Sequence, residues 1–403
     1  MHSGAARLRP SKRDSVSSSD APPSSPRRHL TITPASVILV CVAALLAMGL
    51  TVLFSASSRA LGGPQSYLFK QLIFLALSIG IAWVVARLDL EGMRRFAWIL
   101  AGATLFGLVL VRIPHIGVNV KGSWRWLNLG FTRLQVSEFA KLAMVFALSH
   151  YLALNQNKME DIKRGFIYPC LGIGLFAGLI IIEPDFGTAF LCASVGMILL
   201  FLAGGRLKFI LPSVAFALMG FVLLVLHNPN RLRRITAFMD VEANRSEGAY
   251  QLWQAILAFA AGGVDGVGIG NGRQQQSFLP EAHTDFIFAI MGEEMGLIFT
   301  LLTVILFVAL FVAGLRHVRR APNLFQFLLV TGCLLLICLQ AIINLMVVTG
   351  MMPTKGMSLP FISAGGSNLL LMGFLIGVII NTARTWERPK PLERKRALAE
   401  IEA

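Results

Sequence analysis

The residues able to do chemistry in this chain of 403 residues gather in a few short stretches between long apolar runs. The densest is Phe278-Leu279-Pro280-Glu281-Ala282-His283-Thr284-Asp285-Phe286, where four polar or ionisable residues crowd the entry to an apolar run. A carboxylate kept ionised where a membrane meets water can act as a base toward a lipid headgroup. Thr284 is placed to cap the following helix, which puts Asp285 in its first turn. There Asp285 serves equally well as a favourable charge on the helix dipole, so both roles stand.

A second stretch, Lys121-Gly122-Ser123-Trp124-Arg125-Trp126-Leu127-Asn128-Leu129-Gly130, interleaves cations with tryptophans. Aromatics at a membrane boundary default to belt anchors. With cations between them they also form a platform for sugar stacking and diphosphate binding. Met352-Pro353-Thr354-Lys355-Gly356 adds a lysine, and Ser363-Ala364-Gly365-Gly366-Ser367 adds a loop of small residues. Glu293 and Glu294 follow Asp285 by two helical turns, and Glu138 with Lys141 occupies i, i+3 inside another apolar run. Charges within a membrane face a cavity or a partner. Lys141 is expected to pair with Glu138 or Glu294, and structural glue explains these charges at least as well as a conduction path. The glycine-rich run Gly262 to Gly272 superficially resembles a dinucleotide fingerprint but follows no strand–turn–helix pattern. A flexible or closely packed loop is the better reading.

The elements that must hold these residues are helices in a membrane. The chain is 55% hydrophobic and only 14% charged, with mean hydropathy +0.69, against roughly a quarter charged in soluble domains. Apolar runs at 36–56, 68–86, 96–113, 137–154, 166–182, 186–203, 208–227, 285–315, 325–349 and 368–383 are each of a length suited to crossing a bilayer. The expected fold class is an all-α polytopic membrane protein of about ten transmembrane helices. Residues 1–35, rich in Ser, Pro and Arg, read as a disordered cytoplasmic tail. The membrane domain spans 36–383, with a large outer loop at 228–284 before the eighth span, and 384–403 is a basic cytoplasmic tail. Within the loop, Asn228-Pro229-Asn230 signals a turn, and Leu232, Ile235, Phe238 and Met239 follow at the spacing of an interfacial amphipathic helix. A second apolar segment runs from Tyr250 to Ala261.

The net charge of +15 sits in tails and short loops, so it orients the chain and does not indicate a nucleic-acid partner; contact with membrane lipid is compatible with it. With both termini cytoplasmic, inside segments hold 23 Lys and Arg and outside segments 12. The five cysteines all fall in apolar runs without Cx2C spacing, which argues against zinc and disulfides.

Together these segments resemble the SEDS family of shape, elongation, division and sporulation proteins. The resemblance is carried in order by Val52 to Ser57, Trp124 to Gly130, Ser137 to Lys141, Pro184 to Ala189, Arg234-Ile235, Leu279 to Ala289, Gly292 to Gly296, and Pro353 to Gly366. Pro353 to Gly356 and Leu279 to His283 look more like the division-type members than the elongation-type ones. The resemblance implies a peptidoglycan glycosyltransferase that polymerises lipid II during division, in the bacterial cytoplasmic membrane at the septum. It also implies a class B penicillin-binding protein, a transpeptidase, as partner, alongside other divisome membrane proteins. The family's catalytic carboxylate maps onto Asp285, and its important loop tryptophan and lysine map onto Trp126 and Lys355. Ala364, Asn368 and Glu183 stand where Tyr, Ser and Gln are usual.

In such a reaction a lipid diphosphate leaves without a general acid, so one base suffices, unlike the carboxylate pair of a glycosidase. Lys121, Arg125, Arg234 and Lys355 are the expected stabilisers of the leaving diphosphate. Glu281, His283 and Ser367 complete the expected substrate-binding set, while Glu138, Lys141 and Glu294 are expected to be structural charges. No metal-ligand spacing is present, although a divalent cation (Mg or Mn) remains open. A lipid II flippase and a non-enzymatic division scaffold are the alternative readings. The charge asymmetry makes its own prediction. Single cysteines near 60, 125, 240 and 360 should react with impermeant reagents added from outside, and those near 90, 160 and 320 should not. Labelling at 160 with protection at 240 would overturn the orientation.

Overall fold

A computed structural model describes residues 33–57, 64–120, 123–128, 130, 133–227, 229–246, 248–274, 279–280 and 282–386. Most of both expected tails lies outside these residues, as do Lys121 and Glu281.

Every one of the ten apolar runs folds as a helix. They are α1 (Pro34–Ser57), α2 (Pro64–Val85), α4 (Ala97–Leu110), α5 (Val136–Leu154), α6 (Tyr168–Ile182), α7 (Phe186–Leu202), α8 (Leu207–Leu226), α11 (Ile287–Val318), α12 (Leu324–Val348) and α13 (Gly366–Trp386). Three short helices intervene: α3 (Leu90–Arg94), α9 (Pro229–Met239) and α10 (Tyr250–Gly262). Among the described residues, α1, α2, α6 with its preceding turn, α11, α12 and α13 are long and apolar enough to cross a membrane; α4, α7 and α8 are shorter apolar helices. The chain is a multi-pass helical membrane protein.

Local sequence sets the helix starts. Thr33 Oγ1 accepts from Ser36 N at 3.2 Å ahead of Pro34, whose fixed φ suits a first helical position. Asp185 and Asn323 cap α7 and α12 by accepting from Thr188 N and Gln326 N. Pro229 likewise opens α9, so the Asn228-Pro229-Asn230 signal marks a helix start and not only a turn. The layers differ in burial. The most apolar stretch of α12 is 78% buried inside the protein and that of α2 only 17%, so α12 is central and α2 faces lipid.

The all-α class holds with one addition, a three-stranded antiparallel sheet between α4 and α5. Its strands are β1 (Gly117–Val120), β2 (Ser123–Asn128) and β3 (Arg133–Gln135), in the order β1-β2-β3. Val118 faces Trp126 and Leu127 faces Leu134, with an irregularity after Val118. The tryptophans that read as a binding platform are thus also strand formers.

The second surprise is α11. Gly296 adopts φ 74° and ψ −170°, which breaks the helix in a region essentially reserved for glycine. The break frees the carbonyls of Glu293 and Glu294, which accept from Val267 N and Gly268 N at 3.0 Å. The side chains join in: Arg273 N donates to Glu293 Oε1 at 2.7 Å, and Gly270 N to Glu294 Oε1 at 3.1 Å. Ser55 Oγ donates to Glu294 Oε1 at 2.6 Å. The glycine-rich run is therefore a closely packed loop, and amides from it and from the residues just after it bond two buried carboxylates. Glu294 does not pair with Lys141, because these groups already hold it.

Gly296→Ala should cost roughly 1–3 kcal/mol from backbone strain alone, and more because its Cβ would collide with the Val264 carbonyl and Gly266 N. Gly80→Ala, in open space within α2, should be neutral or stabilising. Thermal unfolding in detergent tests the pair, and equal melting temperatures would refute the strained break.

Candidate active site

Strands β2 and β3, the starts of α5, α7 and α13, the turn before α11, and residues of α9, α10 and α12 surround a cavity of about 450 Å³. Asp285 lines it from the turn before α11. Three successive carbonyls of that turn are held by other elements. His283 O accepts from Ala364 N at 3.0 Å, Thr284 O from Ser363 Oγ at 2.6 Å, and Asp285 O from Asn344 Nδ2 at 2.8 Å. Carbonyls so engaged are not available to a helical ladder, so α11 begins only at Ile287, with Phe286 at its N-cap position. The expectation that Thr284 caps the helix with Asp285 in its first turn is corrected accordingly. The Asp285 carboxylate lies against Gly356, where a Cβ would stand 2.5 Å from Oδ2.

Asp185, only 2% exposed, lines the same cavity. Its carboxylate faces Lys355 Nζ at 3.7 Å and Arg125 Nη1 at 3.9 Å. It also accepts from Thr188 Oγ1 at 2.9 Å and Gln135 Nε2 at 3.3 Å. Burial by itself would raise the Asp185 carboxyl, yet Lys355, Arg125 and the Thr188 bonds hold it below the ordinary value. Burial, with Arg125 and Arg234 nearby, pulls the Lys355 ammonium down against the opposing pull of Asp185. Arg125 is fixed further by donating from Nε to Glu183 O at 3.0 Å and from Nη2 to Pro184 O at 2.6 Å.

A third cluster forms the inner wall. Lys141, 1% exposed, donates to Glu138 Oε1 at 3.0 Å and Gln340 Oε1 at 2.8 Å. Asn368 Nδ2 donates to Glu138 Oε2 at 2.9 Å, and Gln340 Nε2 to Ser358 O at 2.9 Å. Asn368, a departure from the expected pattern, thus has a defined partner.

Of the residues singled out in the sequence, the cavity collects Asp285, Arg125, Trp126, Lys355, Arg234, Ser367, Glu138 and Lys141. Arg234 comes from the exposed face of α9, as the amphipathic pattern requires. Ser367 accepts from Gln135 N at 3.1 Å and so ties the sheet to α13. His283 is not among the lining residues, Glu294 belongs to the glycine loop, and Lys121 and Glu281 lie outside the described residues. Asp185, Gln135, Thr188, Gln340 and Asn368 were not singled out as site residues. The available signal for Asp185 was its N-cap spacing to Thr188 and a surplus of cations on this face without enough carboxylates.

The Cell cycle protein family that groups FtsW, RodA and SpoVE matches residues 35–388. The chain belongs to that family. Among its FtsW/RodA/SpoVE relatives, a probable peptidoglycan glycosyltransferase FtsW of Coxiella burnetii is 41% identical over 86% of this chain and 95% of its own. Stage V sporulation protein E of Bacillus subtilis is 36% identical over 87% and 97%. In fold, the chain resembles a structure described as coordinating polymerization and crosslinking by a peptidoglycan synthase complex, at TM-score 0.72, 24% identity, and 87% and 98% coverage. Rod shape determining protein RodA of Thermus thermophilus superposes with TM-score 0.66 at 24% identity, covering 87% and 97%.

One buried acid lies just before Asp185. Glu183 is 0% exposed, and among the described residues neither of its carboxyl oxygens has a hydrogen-bond partner. Burial first, then Asp185, pushes it up to about 8, so it is largely neutral at pH 7. A raised acid binds more protons in the folded than in the unfolded chain, so stability falls as pH climbs from the ordinary glutamate value to about 8. Glu183→Gln should remove that loss, raising the melting temperature at pH 8 and leaving it unchanged at pH 4. A variant that gains nothing at pH 8 would show that the carboxyl is ionised and partnered.

Proposed function

We propose that this chain is a peptidoglycan glycosyltransferase of cell division that polymerises lipid II on the outer side of the cytoplasmic membrane, with Asp285 as general base. The observation that carries the reading is a single cavity lined both by Asp285 and by the Lys355–Arg125 pair anchored on Asp185. The named activity of the FtsW relatives supports the same chemistry.

The reaction joins a sugar hydroxyl to an anomeric carbon and releases a lipid diphosphate. Asp285 takes the hydroxyl proton as the new C–O bond forms, and the electron pair of the breaking bond leaves on the diphosphate. Lys355, Arg125 and Arg234 supply positive charge where that diphosphate develops, in a site partly screened from water. Trp126 offers a ring on which a sugar can stack. Burial lowers the affinity of Lys355 for its proton, and Asp185 opposes that shift. A divalent cation at the diphosphate is compatible with these roles but is not required by them. Among the described residues no cluster of three or more metal-ligating side chains occurs.

A crosslinking partner fits the same picture, since the structural neighbour is described as coordinating polymerization with crosslinking. A class B penicillin-binding protein and other septal membrane proteins are the partners we infer. The closed hydrogen bonding of Lys141 with Glu138 and Gln340 favours structural charges over a relay through the bundle.

Asp285→Asn keeps the shape and removes the proton acceptor. Glycan formation by the purified variant should fall by about 10²–10⁴-fold while lipid II binding persists. Polymerisation at the parental rate would remove Asp285 from the mechanism.

A further inference from the structure

A second cavity, of about 410 Å³, opens between α4, α5 and α6 at the end of the bundle opposite the candidate active site. Its walls are almost wholly apolar, with Leu105, Met144, Leu148 and Phe176 toward mid-bundle. Two glycines keep it open. A Cβ at Gly102 or Gly172 would meet no atom within 4 Å. In water such a groove would call for a protein partner, but in the bilayer its natural filling is hydrocarbon. The volume falls in the range of specific ligand pockets, roughly 300–1,000 Å³.

The mouth adds polarity and charge. Trp98, Tyr151 and Tyr168 ring it, with Trp98 edge-on to Tyr151 at 6.4 Å between ring centres. Such rings belong at headgroup depth. Tyr151 Oη donates to Arg164 O at 2.9 Å, which pins a π-helical turn, Lys163–Ile167, at this rim. Lys163 and Arg164 are exposed there. The nearest acid in sequence, Asp161, accepts from Lys163 N at 3.1 Å and is engaged with the backbone. This end also carries Arg94 and Arg95 at the start of α4, and Arg94 Nε donates to His150 Nδ1 at 3.0 Å. By the charge count it is the cytoplasmic end, where anionic lipid is attracted to basic side chains.

We propose that the groove between α4, α5 and α6 is a binding site for an anionic phospholipid, with one acyl chain against Gly102 and Gly172 and the phosphate at Lys163 and Arg164. The chain-shaped wall explains why two glycines stand where any larger residue would have room. The pinned basic turn explains why the mouth is polar while the rest is not. The site is separate from the diphosphate-facing cavity and does not depend on the reaction assigned to it.

Native mass spectrometry of the full chain, given equal phosphatidylglycerol and phosphatidylcholine with matched acyl chains, tests the site. One phosphatidylglycerol should be retained over phosphatidylcholine by roughly tenfold or more, as two basic side chains near a phosphate imply. Gly102→Leu with Gly172→Leu should abolish retention of both lipids. Lys163→Gln with Arg164→Gln should leave the groove able to hold lipid but erase the preference. The second pair lies on the surface and settles the matter even if the first fails to fold. Equal retention of the two lipids by the parental chain, or an unchanged preference after Lys163→Gln with Arg164→Gln, would overturn the proposal. So would displacement of phosphatidylglycerol by equimolar undecaprenyl phosphate, which would make the groove a site for the substrate's lipid carrier.

Discussion

An ionised carboxylate buried to 2% exposure among apolar helices must find positive partners, because leaving one unpaired costs several kcal/mol. Asp185 finds them in separate stretches of chain. Arg125 arrives from β2 and Lys355 from the loop between α12 and α13, while Gln135 and Thr188 fill further acceptor positions. The carboxylate therefore fixes the sheet and the α12–α13 loop relative to the start of α7. The two cations end up lining the same cavity as Asp285.

Asp285 is fixed by a different means. Its turn is held through backbone carbonyls by Asn344, Ser363 and Ala364, and Asp285 lines the cavity. Deeper in the same helix, the break at Gly296 lets amides of the glycine loop and its flank bond Glu293 and Glu294. Both arrangements follow one rule, from which Glu183 departs: inside a bundle without water, polar groups are matched by protein. The rule accounts for the buried trio of Lys141, Glu138 and Gln340 as well.

The fold was largely legible because membrane helices announce themselves by length and apolarity, and all ten runs appear as helices. The amphipathic spacing of α9 and the second apolar segment at α10 also survive in the structure. The sheet was hidden because Trp124, Arg125 and Trp126 carry both a strand pattern and a binding pattern, and the chemistry drew the attention. Asp185 was hidden for a subtler reason. As the cap of α7 it has a sufficient local role, and only the long-range approach of Lys355 and Arg125 shows its larger one. Glu294 could not be separated from Glu138 as a partner for Lys141 until the break at Gly296 was known. Spacing along a helix does not reveal where the helix stops.

The central claim is that Asp185 acts through the cations it holds. A double-mutant cycle on purified polymerase tests it, using Asp185→Asn, Lys355→Gln and the two together, read as the rate of glycan formation on lipid II. Groups in direct contact couple, and independent ones add. The account predicts that the double variant loses clearly less than the two single losses combined, because one of the two cations that Asp185 holds is already absent. Losses that add across the cycle would contradict it and make Asp185 a cap for α7 with no part in arranging the site.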